Sequence, residues 1–323
     1  GMWSWLRRSG APVTHLAVAG DGSAWAGTRG DGLLAIDPAG AIVPMDLGFT
    51  EGEVSALVPD ASGVWAGFYG GRAAYADGGG AAATYRVVEA GGDPRSPEAR
   101  AAAVPVPEGA FLMGSDRHRA DESPQRTVHL DWFRIDATEV TNRAFDRYLR
   151  DSGYPPPASW PAGAYPAGED AYPVTGLRHR EAAEYCAWAG GRLPSEAEWE
   201  KAARGTDGRT WPWGDTWGPD LANSAESGRG RPVATGSHPD GASPYGALDM
   251  AGNLEEWVAD YYLADYYRNA PEHNPRGPDL VTNRVRRGGS WSDGAGAART
   301  SYRTSSHGSS PDFRAGFRCA YDS

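Results

Sequence analysis

The sequence contains two cysteines, Cys186 and Cys319, and a single lysine, Lys201, among its 323 residues. Two cysteines can form at most one disulfide bond, so a framework of several bridges is excluded. No apolar run approaches the roughly 20 residues of a membrane span. No apolar segment of about 7 to 15 residues follows the charges near the start, as a secretory signal requires. We therefore expect a soluble, cytoplasmic protein with no membrane partner.

Common catalytic motifs are also missing. The seven histidines do not fall at metal-binding spacings, and there is no Gly-x-Ser-x-Gly elbow, phosphate-binding loop or His-Glu-x-x-His motif. The formal net charge of -11 disfavours nucleic acid as a partner, because phosphate contacts draw on a basic surface. Almost all of the positive charge is arginine, which we interpret as compositional bias.

Aromatic residues and turn formers are plentiful. The chain has 13 tryptophans, 15 tyrosines, 44 glycines and 25 prolines, which predicts an aromatic core with many hydrogen-bonded loops. The length favours two domains and is sufficient for a large core.

The first domain is expected at residues 1–92. Residues 12–27 and 53–67 share alternating apolar residues, a glycine turn and a Trp-Ala-Gly ending, at a period of about forty residues that resembles β-propeller blades. Two blades cannot close a ring, so we predict a small all-β module with two blade-like repeats, or the end of a longer propeller. A turn-rich linker at 93–103 then leads to a second domain at 104–323.

In the second domain, strands are predicted at 107–114, 126–130 and 133–135. The first helix follows Thr141-Asn142, carries Phe145, Tyr148 and Leu149 on one face and ends at Gly153. A second helix is predicted at 180–189. A third begins at Ser195, whose spacing to Glu198 is that of a capping box.

The C-terminal segment has a rigid anchor at each end. Gly288-Gly289 stands beside Trp291, and Gly316 stands beside Phe317. Glycine permits close approach of the backbone, and a large ring fixes it in a core. The residues between, 292–315, are almost all small or polar, and we expect them to be exposed. A long polar run between two anchors is typical of a functional surface.

Six ordered motifs give the second domain a family resemblance. They are PEGAFLMG at 107–114, EVTN at 139–142, GRLPSEAEWE at 191–200, DMAGNLEEW at 249–257, RGGSW at 287–291 and GFRC at 316–319. Together, across residues 103–321, they resemble the formylglycine-generating enzyme (sulfatase-modifying factor) domain. The resemblance implies an irregular α+β fold of C-type lectin type, with many loops.

The resemblance places the copper-binding cysteine pair of the family's oxidases at Asp293 and Ala298 of this chain. Copper(I) takes soft thiolate ligands, and the oxidation needs a thiol. We therefore expect no catalytic residue and no enzyme. Cys186 and Cys319 match structural positions of the family and are either bridged or reduced, with a redox switch as an alternative.

Asn253 and Glu256 lie where members of the family can carry calcium, whose preferred ligands are oxygens. The alternative is a structural pair, with a buried Asn at a turn and a Glu bonded to backbone N–H groups. We expect no required cofactor, and calcium in a structural role at most.

A second branch of the family fits better. Variable proteins of diversity-generating retroelements use this lectin-type fold and vary in the matching segment, through mutations that exclude Lys, Glu, Gln, Met and Trp. None of these five residue types occurs from Ser292 to Ala315. The resemblance implies a non-enzymatic protein that binds a ligand through a variable surface. The alternatives are a non-catalytic scaffold of the sulfatase-modifying factor family and, least favoured, a formylglycine-generating oxidase.

The partner is then a protein or other macromolecule of unknown identity that contacts residues 291–315. Trp291, Tyr302, His307 and Phe313 are expected to be its main contacts, because aromatic side chains dominate binding energy. Arg299, Arg303, Asp312 and Arg314 are expected to hold the framework through charge-assisted hydrogen bonds. The full set of expected ligand-binding positions is Trp291, Ser292, Asp293, Gly294, Gly296, Thr300, Ser301, Tyr302, Thr304, Ser305, Ser306, His307, Ser309, Ser310, Phe313 and Ala315.

Overall fold

The computed structural model describes residues 103–160, 162–279 and 282–322, together with eight strands between residues 13 and 88. The chain divides into two units, Gly1–Val104 and Pro105–Ser323. In the described part of the chain, no helix is long and apolar enough to cross a membrane.

The described strands of the first unit form two sheets with the same order. Strands β1 to β4 pair with their neighbours in sequence, and so do β5 to β8, all of them antiparallel. Their bounds are Val13–Val18, Ala24–Thr28, Leu33–Ile36 and Ile42–Pro44, then Val54–Pro59, Gly63–Phe68, Arg72–Asp77 and Thr84–Val88. The two sheets contain the two sequence repeats, and their likeness to propeller blades stays a prediction.

The second unit has a mixed α and β fold with three α-helices in its described part. Helix α1 is Asn142–Ser152, α2 is His179–Trp188 and α3 is Glu196–Arg204. The strands are β9 (Val104–Val106), β10 (Gly109–Met113), β11 (Arg126–Leu130), β12 (Phe133–Ile135), β13 (Glu255–Tyr261), β14 (Asn283–Arg287), β15 (Thr304–His307), β16 (Ala315–Phe317) and β17 (Ala320–Tyr321). They form sheets β10-β11, β17-β12-β9 and β15-β14-β13-β16, and β13 runs parallel to β16.

Helix boundaries follow from local caps. The Thr141 side chain accepts from the Ala144 N–H at 3.3 Å, and Gly153 ends α1 in the left-handed region with φ 71°. Ser195 and Glu198 form the predicted capping box of α3, which satisfies two N–H groups that have no partner inside the helix. The predicted strands at 126–130 and 133–135 are confirmed, and the first predicted strand is shorter than expected.

The core near the C-terminal segment is aromatic, as the composition predicts. The Phe145 ring lies 5.5 Å from Tyr185 and 6.3 Å from Phe317, centroid to centroid, within the range of favourable ring pairs. Phe317 is fully buried in β16, so the downstream anchor is confirmed. Cys186 of α2 and Cys319 form a disulfide bond beside this cluster, which ties the end of the chain to α2.

Candidate ligand-binding surface

The upstream anchor is a double turn of glycines directly after β14. Gly288 and Gly289 have φ of 93° and 69°, values that favour glycine. A Cβ on Gly288 would lie 3.2 Å from the Trp199 ring, and one on Gly289 would lie 2.9 Å from the Ala297 carbonyl oxygen. Both positions therefore need glycine for conformation and for space, and they fix the direction in which the segment leaves the sheet.

Buried ion pairs fix the segment after these glycines. Arg299 is buried and donates through Nη1 and Nη2 to the two carboxylate oxygens of Glu122, at 2.7 and 2.8 Å. Arg303 is fully buried and makes the same two-bond contact with Glu196, at 2.6 and 2.9 Å. Asp312 pairs with Arg286. The framework role expected of these three residues agrees with this geometry, since a guanidinium fork matches a carboxylate.

Arg314 differs from the other framework residues. Its side chain is exposed, and its backbone N–H donates to the Asp312 carboxylate at 2.9 Å. The framework role expected of its side chain is therefore corrected.

Three expected ligand contacts are buried, and the expectation that all of 292–315 is exposed is wrong there. Thr300 is fully buried and its hydroxyl donates to the Arg209 carbonyl at 2.9 Å, while the Ser301 hydroxyl donates to Glu122 at 2.7 Å. Ala315 is buried in β16, where it pairs with Glu255. Hydrogen bonds inside the protein, rather than solvent, satisfy the polar groups of Thr300 and Ser301.

The other expected contacts are exposed or partly exposed. Phe313 keeps 57% of its surface in solvent, which is a high fraction for a large apolar ring. The exposed positions are Ser292, Gly296, His307, Ser309, Ser310 and Phe313, and the partly exposed ones are Trp291, Asp293, Gly294, Tyr302, Thr304, Ser305 and Ser306.

Trp291 and Phe313 line one cavity of about 290 Å³, which we call the Trp291 cavity. Its other walls come from loops after α1 and from residues near 231, which sequence reasoning did not single out. The lining residues are Asn142, Ser159, Trp160, Pro166, Glu169, Tyr172, Pro173, Thr175, Arg231, Pro232, Trp291 and Phe313. Two of the expected main contacts, from the two ends of the segment, therefore line the same cavity.

The remaining two main contacts lie elsewhere. The Tyr302 ring is covered by the Arg119 guanidinium, whose carbon is 5.1 Å from the ring centroid, and its hydroxyl accepts from Arg119 at 3.2 Å. His307 lines a different cavity, together with Ser309. The four expected main contacts therefore do not form one continuous site. Trp291 and Phe313 line one cavity, His307 lines another, and Tyr302 lies under Arg119.

Charge and hydrogen bonding also shape the Trp291 cavity. The Asn142 carboxamide accepts from the Trp160 indole at 3.2 Å and donates to the Glu169 carbonyl at 2.9 Å. Arg231 lies 3.6 Å from the Glu169 carboxylate and 5.5 Å from the Tyr172 ring centroid. The cavity therefore offers aromatic walls and one exposed ion pair, a combination suited to an amphipathic group.

A copper site of two thiolates does not fit the described residues. The Asp293 carboxylate accepts from the Ser290 backbone N–H at 3.0 Å. Ala298 is buried against Ala222 and Ala251. Both cysteines of the chain are used in the disulfide bond. No soft donor stands at the positions where the family's oxidases bind copper(I).

Asn253 and Glu256, the expected calcium ligands, have protein partners. The side-chain Oδ1 of Asn253 accepts from the Val233 N–H at 2.9 Å, and Asn253 lies in the left-handed region with φ 59°. The fully buried Glu256 carboxylate accepts two hydrogen bonds from Arg318, both at 2.7 Å, and one from the Trp199 indole at 2.8 Å. This geometry favours a structural role for the two residues, in which Arg318 rather than backbone N–H groups binds the Glu256 carboxylate. Calcium binding at this position stays a prediction.

The second unit is a loop-rich α and β domain. Buried ion pairs fix its C-terminal segment, and the exposed side of that segment forms an irregular surface. The model of the sulfatase-modifying factor enzyme 1-like domain matches residues 89–323. The chain belongs to this family, as its six motifs predict.

Known proteins and solved structures are also similar to this chain. The formylglycine-generating enzyme of Thermomonospora curvata is 33% identical, over 68% of this chain and 93% of the relative. The structure of PvdO from Pseudomonas aeruginosa is 27% identical with a TM-score of 0.60, over 68% of this chain and 94% of that one. Treponema denticola variable protein 1 has a TM-score of 0.59 at 21% identity, over the same 68% and 94%, and is similar in fold.

The expectation that the chain is not an enzyme is overturned by these relatives. The Thermomonospora curvata protein is named as an enzyme, and so is a hercynine oxygenase of Mycolicibacterium smegmatis at 31% identity. The missing thiols exclude a two-thiolate copper centre at Asp293 and Ala298, and they do not make the family non-enzymatic.

Proposed function

We propose that this chain binds a ligand through the exposed side chains of residues 291–313, and that the Trp291 cavity holds one group of that ligand. The observation that carries the proposal is the meeting of Trp291 and Phe313 in one cavity with Trp160 and Tyr172. An exposed phenylalanine beside three further aromatic rings is the kind of anchor that dominates binding energy at interfaces.

The size and lining of the cavity suggest what enters it. About 290 Å³ is at the small end of ligand sites, which run from roughly 300 to 1,000 Å³. One aromatic or long aliphatic side chain of a protein fits in such a space. Glu169 and Arg231 in the lining can pair with a positive or a negative group of the ligand. Exposed positions beyond the cavity, such as Ser309 and Ser310, give a macromolecule further surface to contact.

The polar surface is also suited to variation. Ser292, Ser309, Ser310 and Phe313 are exposed, and substitutions at exposed positions usually change stability by about 0.5 kcal/mol or less. We propose that variation in this protein is confined to the exposed and partly exposed positions after Trp291, while Thr300, Ser301 and Ala315 stay fixed. The proposal concerns recognition and applies equally to an enzyme, because an enzyme must also hold its ligand.

A peptide array tests the proposal. The labelled full chain is applied to an array of random peptides, alongside the Phe313→Ser variant and the matched control Arg314→Ser, whose exposed side chain does not line the cavity. We expect wild type and the control to bind the same peptides, rich in one large apolar side chain, and Phe313→Ser to lose them. If wild type binds no peptide better than Phe313→Ser does, the proposed site is wrong.

Sequences of the same gene in closely related strains test the variation. Changes concentrated at the exposed positions support a variable surface, whereas changes spread evenly through 291–315, buried positions included, contradict it.

A further inference from the structure

A second cavity, of about 480 Å³, lies where the start of α2 meets β14 and the end of β15. We call it the Arg284 cavity. Its lining consists of Arg178, His179, Arg180, Tyr261, Thr282, Arg284, His307, Gly308 and Ser309. Three arginines and no carboxylate face a cavity on a chain whose formal net charge is -11. A positively charged cavity on a negatively charged protein favours the binding of an anion.

Arg284 is the central cation of this cavity. One of its Nη atoms donates to the Ala259 carbonyl at 2.6 Å, and its guanidinium carbon stacks 3.4 Å from the Tyr261 ring centroid. Among the described residues it has no carboxylate within ion-pair distance. Burial lowers the pKa of Arg284, and the opposing effect of the nearby Tyr261 and Asp260 is smaller, as expected of a cation that has left water without a carboxylate in direct contact. An incoming anion would supply the missing partner.

Arg178 and Arg180 add charge at the mouth. They pair with Glu181 and Glu184, each at 2.7 Å, but their side chains keep 48% and 82% of their surface exposed. The Arg180–Glu184 pair is mostly exposed, and exposed pairs are weak, so the Arg180 guanidinium remains available to a ligand. Arg178 is held more firmly, because Glu181 is buried and the Arg178 Nε donates to the Ser309 carbonyl at 3.0 Å. His179 does not add charge, because burial lowers its pKa to about 4 and its Nε2 lies 2.9 Å from the Val258 carbonyl.

Glycine keeps the cavity open. A Cβ on Gly308 would lie 3.0 Å from the Arg284 Cγ and 3.0 Å from the His179 Cβ, and the Gly308 carbonyl accepts from the His179 N–H at 3.1 Å. The loop after β15 is therefore pressed against the first turn of α2, the positive end of the helix dipole. Ser309, whose hydroxyl lies 2.6 Å from the His307 Nδ1, and Thr282 add hydroxyl groups.

We propose that the Arg284 cavity binds the phosphate group of a small phosphate monoester. Arginine forks match phosphate oxygens in pairs, and a phosphate carries about two negative charges, enough to engage Arg284 and one arginine at the mouth. The cavity is larger than a phosphate ion needs, which leaves room for the organic part of the ester. The three arginines lie outside the proposed variable positions, whereas His307 and Ser309 of the lining belong to the proposed ligand-binding surface. The charge that would bind the phosphate therefore does not come from the proposed variable positions.

Calorimetric titration of the full chain with inorganic phosphate and with O-phosphoserine tests the proposal, at constant ionic strength and with acetate as a monoanion control. We expect saturable binding that Arg284→Gln weakens at least tenfold and Arg180→Gln weakens less. Arg314→Gln makes the same charge change away from the cavity and should leave the affinity unchanged. Tighter binding of O-phosphoserine than of phosphate would show that the organic part is also held.

Three results would overturn the proposal. They are no saturable binding of either phosphate, binding that Arg284→Gln leaves unchanged, and equal weakening by Arg284→Gln and Arg314→Gln. The last result would indicate attraction to the whole surface. Arg180 is mostly exposed, so its variant should keep the fold even if Arg284→Gln does not.

Discussion

Replacement of Arg299 by methionine tests whether buried ion pairs hold the C-terminal segment. The Arg299 guanidinium makes two hydrogen bonds with Glu122, and its Nε donates to the Gly296 carbonyl at 2.8 Å. Glu122 has no exposed surface. Methionine fills much of the arginine's volume but leaves Glu122 with the Ser301 hydroxyl as its remaining side-chain donor. Loss of one partner of a buried pair costs about 3 to 5 kcal/mol, because an uncompensated charge stays buried.

A loss of that size is a large part of the total stability of a domain, which is about 5 to 15 kcal/mol. Urea unfolding followed by tryptophan fluorescence measures it as a lower midpoint with an unchanged slope. Arg314→Met is the matched control, and because Arg314 is exposed we expect no measurable loss. Adding Glu122→Gln to Arg299→Met should recover part of the stability, since a neutral amide costs less to bury. A loss for Arg299→Met no larger than that of Arg314→Met would refute the reasoning.

Three further changes have expected outcomes. Burial and the nearby Glu196 carboxylate raise the pKa of Asp260 to about 8, so folding retains a proton that the unfolded chain releases above its ordinary pKa of 3.8. The free energy of unfolding therefore falls as pH rises from about 4 to about 8, because the folded state must keep this proton. Asp260→Asn removes the proton, so it should raise the melting temperature most near pH 8. A variant with the same pH profile as wild type would contradict this. The double variant Cys186→Ser and Cys319→Ser should lose about 2 to 4 kcal/mol of unfolding free energy, because the bond closes a loop of 133 residues in sequence; an equal urea midpoint for wild type would argue against it. Gly289→Ala should lose about 1 to 3 kcal/mol through backbone strain and the contact with Ala297, whereas Gly296→Ala, which meets nothing within 4 Å, should keep the wild-type midpoint in the same urea titration; equal midpoints for the two variants would count against the strain argument.

Sequence reasoning succeeded where the cause is local. The capping box of Ser195 and Glu198, the glycine stop at Gly153 and the alternation of 126–130 each involve residues within a few positions of one another. The family motifs added the order of the elements and the buried anchor Phe317, whereas Trp291, expected as the upstream ring in the core, is partly exposed. These features depend on backbone geometry and periodicity, which a single sequence displays directly.

The burial of Thr300 and Ser301 could not be predicted in this way. Small polar residues usually indicate exposure, and these two are buried because their hydrogen-bond acceptors come from distant parts of the chain. Ser301 and its acceptor Glu122 are 179 positions apart, and Thr300 and its acceptor Arg209 are 91 apart. The Trp291 cavity was missed for the same reason, since Trp160 and Tyr172 belong to another loop. Long-range pairing of polar groups leaves no periodic signal.

The arginine excess, which the sequence alone suggested was compositional bias, has a structural role. Three fully buried arginines are spaced along the C-terminal region, with Arg287 before the segment, Arg303 within it and Arg318 after it. Arg287 binds Glu196 and Glu200 of α3, Arg303 binds Glu196, and Arg318 binds Glu256 of β13.

Lysine does not replace arginine in such contacts, because its single ammonium group lacks the planar fork that meets two carboxylate oxygens at once. The fork therefore fixes the orientation of the segment as well as its position. These pairs face inward, and Phe313, Ser309 and Ser292 face solvent. A change at one of these three exposed positions therefore removes none of the buried ion pairs. A framework of this kind allows a protein to change what it binds while it keeps its fold.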